Sequence, residues 1–351
     1  MKSLIKLIYR VLKTRMGLFN PFELNFAITY VCNSRCKTCN IWKIKARNEL
    51  SLTEIERFAK NARFVHWLRL TGGEPFLRKD YVDIVRVFVS NLDLYLLTTP
   101  TNALLPPIVS TAVKKVLSFY KGKYVITVSL DGPKEIHDEI RGVRGNWEKA
   151  LLTFQKLKVF EKYWKNFKVL FGYTISPFNV GLFDETVDEV RKRLPFVTYD
   201  DFHVNLFQVS EVYYHSNWGM FEREEISDFR KKAAREIDNI LRKKSKLGTI
   251  ELIEGRYLLL AKKYLRKLKT PIECNVYNLS AFVDPYGNVY PCSVFNFKLG
   301  NLRENDYNLL KILTSRRAME ARRLIEEGKC PHCWTPCEAH QLIVANFLTF
   351  S

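Results

Sequence analysis

ELNFAITYVCNSRCKTC, residues 23–39, joins a strand-like run to three closely spaced cysteines. The run 23–31 is apolar or β-branched at most positions, the texture of a strand covered on both faces in a parallel sheet. Cys32, Cys36 and Cys39 follow at once, which places them on the loop at the C-terminal end of that strand. Thiolates at this spacing suit an iron–sulfur cluster or zinc. Three are one short of a closed four-ligand site, and no His or further Cys lies nearby in sequence. A cluster held by three thiolates leaves one iron open to a small molecule, whereas zinc would need a fourth ligand from elsewhere.

Outward from this stretch, further strand-like runs occupy 64–70, 92–99, 123–130, 167–175 and 201–209. Helical patterns lie between them, at about 79–90, 107–120, 146–162 and 182–194, and Ser51 with Glu54 forms a capping box that starts the first helix. Six βα units predict an α/β fold around a parallel sheet, closed or partly closed, with function at the C-terminal ends of its strands. Residues 222–269 are charged and helical in pattern and read as a bridging segment. From about 271 the texture changes to short strands, turns and cysteines, with Asp284-Pro285-Tyr286-Gly287 as a hairpin turn. This end predicts a small second domain held by metal more than by a core.

Composition narrows the class. A hydrophobic fraction of 47% fits a globular chain. No run of eighteen apolar residues exists to span a membrane, and the start has no small-residue cleavage site, so a cytoplasmic protein is expected. The balance of 56 Lys+Arg to 37 Asp+Glu, a net charge of +19, implies a solvated surface or an acidic partner: a phospholipid surface, RNA or a phosphorylated substrate. Residues 1–19 place Leu4, Ile5, Ile8, Val11 and Leu12 on one helical side and Lys2, Lys6, Arg10 and Lys13 on the other. Such a helix either lies in a membrane interface or docks on the protein's own core. The eight cysteines fall into a group of three and, near the end, Cys274, Cys292, Cys330, Cys333 and Cys337; their CxxxCxxC and CxxC spacing favours metal over disulfides.

Thr71-Gly72-Gly73-Glu74-Pro75 follows the second strand. Paired glycines let backbone approach a ligand closely, and Pro75 sets the turn. CNSRCKTC followed by TGGEP resembles the radical S-adenosylmethionine (SAM) superfamily. The resemblance implies a partial (β/α)6 TIM-like barrel. It also implies a 4Fe–4S cluster on Cys32, Cys36 and Cys39 whose open iron is chelated by the amino and carboxylate groups of SAM, with the turn Gly72, Gly73, Glu74 and Pro75 holding the amino group. Ser129-Leu130-Asp131-Gly132 resembles the family's SLDG stretch, and His137 to Gly142 resembles members with an auxiliary cluster domain. By resemblance Ser129 and Asp131 face the ribose and methionine moiety and Arg141 the carboxylate, chemistry that a carboxylate acceptor and a guanidinium fork suit. Thr101, Asn102 and Asn179 are further candidates. Thr38 stands where the family often has an aromatic residue against adenine, so Trp42 or Ile41 takes that contact.

The five later cysteines resemble a C-terminal SPASM or shorter twitch domain with an auxiliary iron–sulfur cluster. Cys274, Cys292 and Cys330 are common to the alternatives, and Cys333 and Cys337 compete to complete a 4Fe–4S site. A zinc ribbon is the other reading. His332 and His340 read as surface or supporting groups. The expected organisation is a basic helix over 1–20, a radical SAM core over 21–210, a helical bridge over 211–270, a SPASM/twitch-like domain over 271–343 and a tail over 344–351. The expected activity is reductive cleavage of SAM, fed by ferredoxin or flavodoxin, and hydrogen abstraction from a peptide, lipid or small metabolite. Peripheral membrane contact through 1–19 is a further expectation. The alternatives are a non-enzymatic iron–sulfur or zinc protein that binds RNA or an anionic surface, and a barrel kept for peptide binding after its chemistry is lost.

Overall fold

The computed structural model describes residues 9, 19, 21–216, 222–245 and 248–346. The helix expected over 1–19 lies outside the described residues except at Tyr9 and Phe19. Six parallel strands appear in chain order across the sheet: β1 (Glu23–Thr29), β2 (Trp67–Gly72), β3 (Leu96–Thr101), β4 (Lys123–Ser129), β5 (Phe167–Ile175) and β6 (Phe202–Leu206). The crossovers carry α1 (Leu52–Lys60), α2 (Tyr81–Asn91), α3 (Pro106–Phe119), α4 (Lys134–Arg141), α5 (Asn146–Tyr163) and α6 (Phe183–Arg193). The Ser51–Glu54 capping box is present at the start of α1. The short helix α4 was not expected from the sequence; Gly142, in the left-handed region, ends it.

One face of the sheet packs on the helices. Phe26 meets Phe58 of α1 and Phe88 of α2 with ring centroids 5.6 Å apart in each pair, and Phe171 stacks on Phe154 of α5 at 3.8 Å. The opposite, concave face is covered unevenly, β1 being buried on it throughout. In β4 and β6, residues under the helices are buried while those between them are half-buried. The register aligns Asn25, Arg69, Thr98, Val125 and Lys168 in one row across this face. The expectation of strands covered on both faces thus fits β1, buried at every position, whereas β4 and β6 are half-buried on this second face.

The bridging segment forms α7 (Arg223–Lys243) and α8 (Thr249–Lys267). α8 seals the free edge of β6: the Val204 amide donates to Glu254 Oε1 at 2.8 Å and the Leu206 amide to the Tyr257 hydroxyl at 3.0 Å. An uncovered strand edge is a liability, and a helix laid along it is one remedy. The cysteine-rich end adds α9 (Val276–Leu279), β7 (Ser280–Val283), β8 (Asn288–Tyr290), β9 (Gly300–Asn301), α10 (Leu309–Leu313), α11 (Arg316–Glu326) and α12 (Pro336–Asn346). The Asp284–Gly287 turn joins β7 to antiparallel β8, with Asp284 Oδ1 accepting from the Tyr286 and Asn288 amides. β7 pairs with β1 in parallel, so barrel and cysteine-rich end share one nine-stranded sheet. They also share one core, to which Leu279, Val283, Val289, Trp334 and Leu342 belong. The expectation that metal would hold this end more than a core is thus corrected: a segment this small gains its buried surface from the edge of β1. α12 runs to Asn346, past the boundary expected at 343.

Glu254 anchors this closure electrostatically. It pairs with Lys244 at 3.2 Å, and both side chains are only 6% exposed. Burial pushes the Glu254 carboxyl up, but Lys244, His203 and the Val204 amide outweigh it and hold the carboxyl at about 2, below its ordinary 4.5. Because the folded value is depressed, the contribution is fully present above pH 4.5 and is lost as the pH falls towards 2. Glu254→Ala leaves Lys244 buried without its partner and is expected to destabilise the chain by about 3 kcal/mol at neutral pH. Urea unfolding between pH 7 and pH 3 should show the gap between wild type and variant narrowing on acidification; a constant gap would contradict the pairing.

Candidate active site

The cysteine loop has almost no regular structure, so its shape is fixed by what it touches. At one end, the Gly73 amide donates to the Thr29 carbonyl at 2.7 Å and the Glu74 amide to the Val31 carbonyl at 2.9 Å. Gly72 has φ +136°, and a Cβ there would stand 2.1 Å from the Thr29 carbonyl oxygen; a Cβ on Gly73 would stand 2.3 Å from that of Val31. The close approach that these glycines permit is therefore to the cysteine loop itself. In its middle, the amides of Arg35 and Lys37 donate to the carbonyls of Arg141 and Ile140 at 2.9 and 2.8 Å, so the C-terminal turn of α4 carries the loop. At its far end, the Asn40 amide donates to the Tyr214 carbonyl at 2.8 Å.

All three thiols are half-buried and free. N–H groups face their sulfurs: Ser34 N and Asn102 Nδ2 stand 3.5 and 3.9 Å from Cys32 Sγ, and Arg141 Nη1 stands 3.6 Å from Cys36 Sγ. Burial pushes the Cys32 thiol up to about 11 and the Cys39 thiol higher. Thiolates in such surroundings need a cationic metal centre to be stable. Among the described residues, no three His, Cys, Asp or Glu side chains approach closely enough to share a single ion. The donor set, three thiols on one loop with N–H groups facing their sulfurs, fits a thiolate-bound iron–sulfur cluster.

The other expected residues gather around this loop. Pro75 opens a short 3₁₀ turn, Pro75–Leu77. Glu74 is buried, and its carboxylate accepts from the Thr101 hydroxyl at 2.9 Å, the Asn102 amide at 2.6 Å and the Phe76 amide at 3.3 Å. Burial pushes it up to about 7 despite these donors. Asn102 Nδ2 also donates to Asn33 Oδ1 at 2.7 Å. Asp131 and Arg141 pair with each other at 2.6 Å, and Asp131 Oδ1 accepts from the Thr174 amide at 3.0 Å. Both Asp131 oxygens are thereby engaged by protein. Arg141 Nε is buried with no partner among the described residues, so one guanidinium donor remains for an anionic group. Ser129 is half-buried on the concave face, in register with Gly172. Asn179 is wholly absorbed by its own loop, bonding Ser176, Thr174 and Asp131. Ile41 is buried in the core, Thr38 is half-buried, and exposed Trp42 lines an open cleft of about 450 Å³ with Cys36 and Phe178.

Several supporting residues escaped the sequence. His137 is fully buried, and its Nδ1 accepts the Asp131 amide at 3.0 Å; burial keeps the ring neutral by pushing its pKa well down. Asn146 Nδ2 donates to the Asn102 carbonyl at 2.8 Å, and the Tyr213 hydroxyl bonds Thr71. Glu49 Oε1 accepts from the Tyr30 amide at 2.6 Å. Only His137 sat in a quoted motif; spacing offers no signal for the other three.

Cys274, Cys292, Cys330 and Cys333 line one apolar pocket with Val276, Val294, Phe295, Ile325 and Trp334. The Phe295 amide stands 3.3 Å from Cys292 Sγ. Burial pushes the Cys274 thiol up to about 12 and those of Cys292 and Cys333 well above the ordinary range. Cys337, in the first turn of α12, is not among the pocket's lining residues. It lies within electrostatic reach of Arg69 and Glu23 on the barrel side, and its carbonyl accepts from Asn25 Nδ2 at 3.3 Å. Of the two competing cysteines, Cys333 therefore lines the pocket, while Cys337 at the start of α12 lies on the side of β1 and β2. His332 lines the pocket, whereas His340 packs on His203 and Tyr257 at 5.4 and 5.5 Å between ring centroids.

Residues 26–194 match the Radical SAM superfamily and residues 274–334 match an iron-sulfur cluster-binding domain, SPASM. The chain belongs to the radical SAM superfamily and is an enzyme of that class with a C-terminal SPASM domain. Its cofactors are a SAM-bound 4Fe–4S cluster and an auxiliary iron–sulfur cluster. The chain is similar to the AdoMet-dependent heme synthase of Methanosarcina barkeri, with 25% identity over 332 residues, 89% of this chain and 88% of that one. A local match to the GTP 3',8-cyclase of Pectobacterium atrosepticum has 38% identity over 88 residues, 23% of this chain and 27% of that one. The same fold occurs in AdoMet-bound anSMEcpe (TM-score 0.60, 17% identity, 93% and 97% of the two chains). It occurs again in Streptococcus suis SuiB bound to S-adenosylmethionine (TM-score 0.59, 18% identity, 89% and 70%). Family membership replaces the non-enzymatic reading and bears out the partial barrel.

Gly73→Ala drives a methyl group into the Val31 carbonyl and must displace the cysteine loop. Iron and sulfide analysis of the reconstituted variant should find about four irons per chain instead of about eight. A full complement would show that the loop does not depend on this contact.

Proposed function

We propose that the chain is a radical SAM oxidoreductase acting on a small anionic molecule held in the barrel lumen. One observation carries the radical half of this reading: Cys32, Cys36 and Cys39 share one pinned loop whose sulfurs are faced by N–H donors. When bound, the 4Fe–4S cluster and SAM supply one-electron reductive cleavage to methionine and a 5′-deoxyadenosyl radical, which takes hydrogen from carbon. The chain's own residues do the positioning. Arg141, with its unpartnered Nε, binds the SAM carboxylate, and Asp131 holds that guanidinium in place through the ion pair. Glu74 keeps the turn and Asn102 in register, and the backbone of Gly72 and Gly73 receives the SAM amino group. Ser129 meets the ribose from the concave face, and Trp42 with Phe178 takes the adenine in their cleft. α8 and α12 close the lumen's side and exclude water from it.

Three observations support the substrate class. Lys168 stands on the half-buried concave face and has no ion pair among the described residues, while Arg69 and His203, on the same face, lie beside Glu23 and Glu254. The net charge is +19. The relative that matches nearly end to end is named a heme synthase, which favours a small metabolite over a peptide. Cys274, Cys292, Cys330 and Cys333 hold the auxiliary cluster in this reading, Cys337 does not, and ferredoxin or flavodoxin supplies electrons in the cytoplasm. The alternation of Lys2, Lys6, Arg10 and Lys13 with apolar residues in the sequence of 1–19 supports peripheral contact with an anionic membrane.

Anaerobically reconstituted protein with SAM and dithionite should form 5′-deoxyadenosine, and Cys32→Ala should abolish it. In parallel, Cys333→Ala should lose about four irons while Cys337→Ala keeps about eight. No 5′-deoxyadenosine from iron-replete wild type would overturn the activity; iron loss in Cys337→Ala alone would reverse the ligand assignment.

A further inference from the structure

Phe26, Val204 and Leu206 belong to the core under the helices, which turns Asn25 of β1 and Asn205 of β6 to the concave face. β6 ends the sheet and does not pair with β1. α12 spans the gap between them. Its first turn meets β1 and β2: the Cys337 carbonyl accepts from Asn25 Nδ2 at 3.3 Å and the Pro336 carbonyl from Arg69 Nη2 at 3.4 Å. Its next turn meets β6, where the His340 ring lies 5.4 Å from that of His203. Around this gap Asn25 Oδ1, Asn205 Oδ1 and His340 Nε2 are buried with no partner among the described residues. A buried polar atom without a partner is costly, and folded interiors keep few of them. Asn25 is only 2% exposed, and its Nδ2 is committed to the Cys337 carbonyl, which fixes Oδ1 as the atom left over. Asn205 bonds no described residue through its side chain, and Asn is a poor strand former, so its place in β6 has no structural return.

We propose that this gap, bounded by Asn25, Asn205 and His340, is a recognition site for hydroxyl groups of the substrate, which makes that substrate a hydroxylated anionic metabolite. The inference rests on the reading of a small anionic molecule in the lumen and narrows it. The two amide oxygens only accept, so the occupant must bring donors. A hydroxyl both donates and accepts, and it therefore suits both oxygens and either tautomer of His340. Lys168, in the same cross-strand row as Asn25, takes the anionic group. An alkyl chain in the gap would leave all of these polar atoms buried and unpaired, which is how a site built for hydroxyls rejects the analogue that lacks them. None of the three residues lines the cleft of Trp42 and Phe178, so substrate hydroxyls and adenine are read in different places.

The test compares glycerol 3-phosphate with n-propyl phosphate, which carry the same anionic group and differ only in hydroxyls, by isothermal titration calorimetry on the full-length reconstituted protein with SAM. Wild type should bind glycerol 3-phosphate about tenfold or more tightly than n-propyl phosphate, and Asn205→Val and Asn25→Leu should each bring the two to within about threefold. Asn205→Val should also melt no lower than wild type, since it gives up no hydrogen bond to a described residue. Equal binding of the two phosphates by wild type, a preference that survives both substitutions, or a lowered Tm in Asn205→Val would overturn the recognition site and leave the anionic reading in place. Failure of wild type to bind either phosphate would overturn the anionic reading, and the site with it.

Discussion

Two backbone hydrogen bonds, from Gly73 to Thr29 and from Glu74 to Val31, hold the cysteine loop against the turn after β2, and the rest of the site is built on them. Each is worth about 1 kcal/mol net, so their importance is positional. Once Glu74 is placed, its buried carboxylate fixes Thr101 and the Asn102 amide at the end of β3. Asn102 then reaches back through its side chain to Asn33 and the Cys32 sulfur. The bonds therefore form a closed circuit through the ends of β1, β2 and β3. α4 adds a second hold through Arg35 and Lys37, and its last residue, Arg141, ties Cys36 to Asp131 at the end of β4. Four strand ends are locked to one loop with little regular structure of its own.

A second constraint joins this site to the cysteine pocket near the C-terminus. The Tyr257 hydroxyl accepts from the Leu206 amide of the edge strand and donates to the Trp334 carbonyl at 3.2 Å. Trp334 lies 6.0 Å from Tyr257 between ring centroids, nearly parallel, and its Nε1 donates to the Tyr257 carbonyl at 2.9 Å. Trp334 follows Cys333, so the residue that closes the barrel edge also positions the auxiliary pocket. With β7 paired to β1 on the opposite side, both edges of the barrel end on the cysteine-rich segment. The segment is thus a wall of the barrel, and its pocket is held at a set place relative to the lumen.

Much of this was legible in the residues. The strand runs, the Ser51–Glu54 box and the Asp284–Gly287 turn are local signals, and each has its mechanism within a few residues. Cysteine spacing located both sites. What escaped was long-range or short. β7 joins β1 across more than 250 residues, and nothing in four residues names that partner. α4 is a single eight-residue helix inside a stretch dominated by charge. Cys333 and Cys337 are both plausible at their spacing; only the start of α12 at Pro336 separates them. Asp131 and Arg141 were expected to face SAM independently, and the chain between them folds back as α4, which ends on Arg141, so that they meet. The glycine pair was read for ligand approach, but its nearest neighbours are the carbonyls of Thr29 and Val31.

The central claim is that the cysteine loop leaves one iron corner for SAM. Electron–nuclear double resonance on the reduced, full-length protein, mixed with SAM carrying ¹⁵N at its amino group, tests it directly. Direct chelation requires a ¹⁵N hyperfine coupling that vanishes in Cys36→Ala and persists in Cys333→Ala. A reduced-cluster signal unchanged by SAM, with no ¹⁵N coupling, would contradict it.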